Sequence, residues 1–80
     1  MNTHEAVKLR LIELCKQQHI TKYALANNSG VHKSTVKNIF NGSSKNTGII
    51  TIKMLCDGLG ISLTEFFDTE YFRNLEQEIK

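Results

Sequence analysis

The sequence predicts an all-α fold, a single bundle of five short helices whose last member has the option of extending toward the C-terminus. Three observations predict it. Apolar residues recur at i, i+3 or i+4, and i+7 through successive stretches; a capping-type residue precedes nearly every stretch and a glycine or Asn-Gly closes most of them; and no run alternates with period two, as a strand would.

The first helix is read from 4–18. Thr3 is its expected cap, Glu5 lies in its first turn, and Val7, Leu11 and Leu14 form its apolar stripe, widened by Leu9, Ile12 and Cys15. Thr21 can cap a short second helix, 22–28, by accepting from the free N–H groups of its first turn. Gly30 then supplies the left-handed backbone that a sharp exit needs, Val31 plugs the corner, and His32 caps a third helix over 33–40 with Val36, Ile39 and Phe40 on its apolar side. Asn41-Gly42 ends it. The polar run from Ser43 reads as a loop, closed by Ile49 and Ile50 turning back to the core. Thr51 is the expected cap of a fourth helix, 52–59, with Ile52, Leu55, Cys56 and Leu59 inward and Gly60 as its stop. Ser62 and Glu65 form a capping box for a fifth, 63–67 or beyond. Tyr71, Phe72, Leu75 and Ile79 keep a helical period to the end, so residues 1–69 are assigned to the domain and 70–80 to a helical extension.

A chain of 80 residues allows one domain and buries only about 60–65% of its unfolded surface, which disfavours a large catalytic cavity. Cys15 and Cys56 are too few for a disulfide scaffold and match no CxxC spacing, so both are expected reduced. His4, His19 and His32 are too far apart for a helical metal pair, and Gly58-Leu59-Gly60 follows no strand and lacks the third glycine of a dinucleotide loop. No metal, cofactor or small-molecule ligand is expected. Charges interrupt the N-terminal stretch, and nowhere is there an apolar run long enough to span a bilayer, so a cytoplasmic location without membrane association is expected. The Asn-x-Ser matches at Asn27 and Asn41 carry no weight without a secretory signal.

The net charge of +2 conceals a division along the chain. Residues 14 to 56 carry Lys16, Lys22, Lys33, Lys37, Lys45 and Lys53 with no acid, while residues 57 to 80 carry six acids against Arg73 and Lys80. An acid-free middle reads as a face kept positive for a polyanion.

Within that middle, two short helices joined by a glycine turn make a helix-turn-helix arrangement, with small Ala26 at the crossing. The outward face of the second shows Lys33, Ser34, Lys37 and Asn38. Lysine can donate to guanine O6 or N7, asparagine can pair with adenine N6 and N7, and serine is a short, permissive contact.

The segment TKYALANNSGVHKSTVKNIFNG from Thr21 to Gly42, followed by TIKMLCDGLGISLTEFF from Thr51 to Phe67, resembles the Cro and phage-repressor helix-turn-helix family, also called the xenobiotic-response-element type. The resemblance spans roughly Val7 to Phe67, with the glycine turn, the Asn-Gly helix end and the LGIS-x-x-EFF ending in family order. It implies a five-helix, lambda-repressor-like bundle that binds double-stranded operator DNA, usually as a two-fold homodimer. It places Lys22, with the capping Thr21, among the phosphate contacts at the start of the second helix. Lys33, Ser34 and Asn38 fall on base-reading positions, Lys37 on the same face, and His32 at the cap. Asn41, Ser43, Ser44 and Lys45 fall in the segment that grips phosphates, partly through main-chain N–H groups. Phe40, where a polar or acidic residue is common, and Thr47-Gly48, where many relatives carry a proline-containing loop, depart from the pattern. No basic arm precedes the first helix, so no minor-groove reach is expected from the N-terminus.

The resulting expectation is a DNA-binding transcriptional regulator, a repressor of phage or bacterial type and not an enzyme. The alternative is a protein-interaction module, an antitoxin or anti-repressor, on the same bundle; a small enzyme ranks behind both because no nucleophile–base pair shows at usable spacing. Tyr71, Phe72, Leu75 and Ile79 either pack as extra core or form a self-complementary dimer patch.

Overall fold

A computed structural model describes residues 1–79, and among them it shows six helices and no strand. They are α1 (Thr3–Gln18), α2 (Lys22–Ser29), α3 (Lys33–Phe40), α4 (Ile49–Leu59), α5 (Leu63–Phe67) and α6 (Glu70–Arg73). The all-α prediction holds, and the first three helices and the fifth lie within a residue of their predicted bounds. None of the described helices is long and apolar enough to cross a membrane.

Local chemistry explains most of the helix ends. Thr21 Oγ1 accepts from Ala24 N, His32 Nδ1 accepts from Ser34 N, and Ser62 and Glu65 close the predicted capping box. Gly30 and Gly60 take the left-handed conformation as C-caps of α2 and α4.

Three predicted features are corrected. Asn2, not Thr3, caps α1: its side chain accepts from Glu5 N while the Glu5 carboxylate reaches back to Asn2 N, a reciprocal pairing that Thr3 cannot make from inside the first turn. Thr51 does not cap α4. The helix begins three residues earlier than predicted, behind Gly48, which makes no side-chain cap bond, and Ile49 and Ile50 stand 55% and 71% exposed instead of turning to the core. The predicted helical run to Ile79 stops at Arg73. There Asn74 Nδ2 donates to Glu70 O, and the chain turns toward the N-terminus, where Glu76 N donates to Met1 O and Thr3 Oγ1 donates to Glu78 Oε2 at 2.7 Å.

The core is one cluster. Leu11 and Leu14 of α1, Leu25 of α2, Val36 and Ile39 of α3, Leu55 and Cys56 of α4 and Phe66 of α5 are all buried, with Val31 filling the turn. α2 and α4 pack most extensively on each other, and α1 supports α3 and α6. Phe66, Phe67 and Phe72 form an aromatic group, with Phe67 edge-on to both neighbours at centroid distances of 4.9 Å. Of the four apolar tail residues, Phe72 therefore packs against the core, Tyr71 donates to Glu13 and Leu75 is half-buried, while Ile79 is 88% exposed. Cys15 and Cys56 are free and buried, and burial pushes both thiols up.

Candidate nucleic-acid interface

The recognition unit is assembled from short-range bonds on a buried base. Thr21 starts α2, and Leu25 and Ala26 pin its underside. At its end Gly30, with φ +72°, sends its N–H to Ala26 O, while Ser29 Oγ donates to the same carbonyl and accepts from Val31 N. These bonds fix the corner, so α3 leaves it in one direction. Buried Val36 and Ile39 then set the rotation of α3 about its own axis.

With that rotation fixed, Lys33, Ser34, Thr35, Lys37 and Asn38 are all exposed. Ser34, Asn38 and Asn41, spaced i, i+4 and i+7, make the ridge opposite Val36, Ile39 and Phe40, and Lys37 and Thr35 flank it on either side. The sequence reading does not single out Thr35, because a helical wheel sets it only about 40° from buried Ile39; the structure shows it exposed, and its hydroxyl and methyl suit a base edge or a thymine methyl. Lys33 lies nearer the buried side but in the first turn.

His32 and Ser34 are linked. The ring Nδ1 accepts from Ser34 N at 3.1 Å and lies 2.8 Å from Ser34 Oγ, so the proton of the neutral ring sits on Nε2, which is left as an outward donor. Lys22 occupies the first position of α2, its ammonium 5.5 Å from the Tyr23 ring centroid.

Beyond α3 the chain is wired to itself. Asn41 N donates to Lys37 O, Gly42 N to Ile39 O, Ser43 N to Asn41 Oδ1, and Ser44 N to Asn38 O. The main-chain donors of residues 41–44 are thus occupied within the protein, which leaves the side chains of Asn41, Ser43 and Lys45, all exposed, as this segment's outward groups. Ser44 is half-buried with its hydroxyl 3.3 Å from Thr47 Oγ1, which braces the loop.

The electrostatics are one-sided. Lys53 pairs with Asp57, Arg73 with Asp68 and Glu70, and the Met1 ammonium with Glu76. None of Lys22, Lys33, Lys37 or Lys45 makes an ion pair among the described residues, so their charge is available to an anion. The tail bonds to Met1, Thr3 and Glu13, leaving the outward side of α3 uncovered. Among the described residues no group of three His, Cys, Asp or Glu side chains could hold a metal ion.

A family model described as helix-turn-helix matches residues 11–66. Among solved structures, the crystal structure of the prophage Lp1 protein 11 is similar to this chain, with 41% identity and a TM-score of 0.79 over 90% of this chain and 96% of that one. No curated protein matches.

Proposed function

Because this chain belongs to the helix-turn-helix family of the Cro and phage-repressor type, a family of DNA-binding regulators, we propose that it is a repressor that binds operator DNA as a two-fold dimer through α3. The observation that carries this reading is an acid-free outward face on a rigidly seated helix: Lys33, Ser34, Lys37 and Asn38 are exposed together while Val36 and Ile39 anchor the same two turns.

In this reading α3 lies in the major groove. Ser34 and Asn38 read bases from the central ridge, with Lys33 and Lys37 beside them and His32 Nε2 donating at the edge. Thr21 and Lys22 at the start of α2, and Asn41, Ser43, Ser44 and Lys45 after α3, set register on the phosphates, Ser44 chiefly by bracing the loop. Half-sites one helical turn apart place two copies about 34–36 Å centre to centre. A molecule measuring 37 × 23 × 20 Å spans that distance along its longest axis, so the ends of that axis are surfaces to test for pairing. Tyr71 and Phe72 are engaged internally, so they are poor candidates for that contact.

Selection from a random duplex pool tests the reading, and a two-fold symmetric consensus is expected. K22Q should weaken binding to every duplex and flatten the salt dependence by about 0.9 log unit, whereas N38A should relax preference at one base position by about 1–3 kcal/mol. An asymmetric consensus removes the dimer. No retention on duplex DNA at low salt, with a protein captured instead, makes the interaction-module alternative the better reading.

A further inference from the structure

We propose that Lys8 of α1 is a phosphate-contacting residue, which extends the DNA interface from the helix-turn-helix onto the first helix; this rests on the DNA-binding reading above. In the sequence Lys8 falls in a stretch where acids and bases balance, outside the acid-free segment. The fold moves it. Its ammonium nitrogen lies 3.7 Å from the point a Cβ on Gly42 would occupy. Gly42 has φ +82° and sits between Asn41 and Ser43, in the middle of the segment assigned to phosphates.

Three features keep this charge available beside that segment. Lys8 follows buried Val7 on a helix packed against α3, so its half-buried stem is held against the body and only its tip is free to reach. The acid one turn before it, Glu5, is engaged with Asn2 N in the α1 cap, and Lys8 forms no ion pair among the described residues. The ammonium also stands at the C-terminal end of α3, whose dipole presents a partial negative charge of about half a unit. That end attracts and positions the cation, but a phosphate carrying a full charge is the stronger partner when DNA arrives. The backbone N–H groups of residues 41–44 are already bonded within the protein, so a cation beside Gly42 supplies attraction that the main chain there does not.

The competing role is purely structural, a lysine that neutralises the end of α3. Salt dependence separates the two. The full chain, K8Q, K22Q and K16Q are titrated with one mixed-sequence duplex between about 50 and 200 mM salt; Lys16 is an exposed lysine at the far end of α1 and serves as the control. K8Q is expected to flatten the slope by about 0.9, so that its affinity loss across that range is roughly threefold smaller than that of the unaltered chain. K8R should restore the slope, and K16Q should match the unaltered chain. If K8Q keeps the full slope while K22Q loses a unit, Lys8 is a helix-end cation only and the proposal falls with the DNA-binding reading intact. If neither lysine affects binding, that reading falls as well. Should K8Q fail to fold, K8M deletes the charge while keeping the apolar stem and must give the same flattened slope.

Discussion

At Gly58, α4 passes so close to the end of α2 that a Cβ there would meet Ser29 Cβ at 2.8 Å and the Ser29 backbone at 3.0 Å. Two effects of opposite sign compete in G58A. Alanine gains about 1 kcal/mol of helix propensity, but the overlap is with backbone that cannot rotate away, and overpacking of this kind costs about 1–3 kcal/mol. The overlap should win, because the only relief is to push α4 off the crossing on which the turn at Gly30 depends. The expected outcome is a lower urea midpoint, and G48A is the comparison: Gly48 has φ −66° and open space around it, so alanine there meets no overlap and should shift stability by under about 1 kcal/mol, the gain through the unfolded chain being offset by alanine's weaker preference for the N-cap. Equal effects at the two positions would refute the close crossing. In the sequence Gly58 stands two residues before Gly60, the expected stop of the helix. Nothing local distinguishes a glycine that a neighbouring helix requires from one that ends a helix, whereas Gly30, followed at once by a cap and a new apolar period, was legible as a turn.

Helices of five to eleven residues are too short to persist alone in water, so the last turns of α4 and α5 need outside support. The long α1 supplies it. Arg10 Nε donates to Phe66 O at 2.7 Å and Arg10 Nη2 to Glu65 O at 2.8 Å, while Gln18 Nε2 donates to Leu59 O at 2.8 Å. R10A removes two charge-assisted bonds to carbonyls at the end of α5, and a loss of about 1.5–3 kcal/mol is expected, read as a lower urea midpoint with an unchanged slope. Q18A removes one neutral bond and should cost about 1 kcal/mol. If R10A cost no more than Q18A, α5 would be held by its apolar packing alone. The same contrast explains which elements could be read from the sequence. α2, α3 and α5 begin at side chains that cap within three residues, so their starts and the exposed face of α3 are written locally. α4 begins behind Gly48, which has no side chain to announce it, and its start was placed three residues late. The C-terminal stretch has a helical period but ends its helix at Arg73, because Thr3 and Glu78, 75 residues apart, draw the chain back to the N-terminus. A periodicity count cannot see such a contact.

Across the whole molecule, the acids of the C-terminal third are engaged within the protein, Asp57 with Lys53, Asp68 and Glu70 with Arg73, Glu65 in its helix cap, and Glu76 and Glu78 with Met1 and Thr3, while Lys22, Lys33, Lys37 and Lys45 make no ion pair among the described residues, so the small net charge conceals cations free to meet a polyanion. The C-terminal segment holds its place partly through Tyr71, whose hydroxyl donates to Glu13. Burial first, and then the Glu13 carboxylate, push this phenol up from 10 to about 12. The native state therefore favours the neutral phenol. Its contribution to stability is fully present below pH 10, where the phenol is neutral in the unfolded chain too, and is lost as pH rises through about 12. Urea midpoints measured from pH 9 to 12 should fall for the unaltered chain more steeply than for Y71F, which has no proton to lose. Groups common to both proteins cancel in the difference. Parallel curves would mean that Tyr71 stands free of Glu13 in solution, and the C-terminal segment would then be joined to α1 only through Met1, Thr3 and the aromatic packing of Phe72.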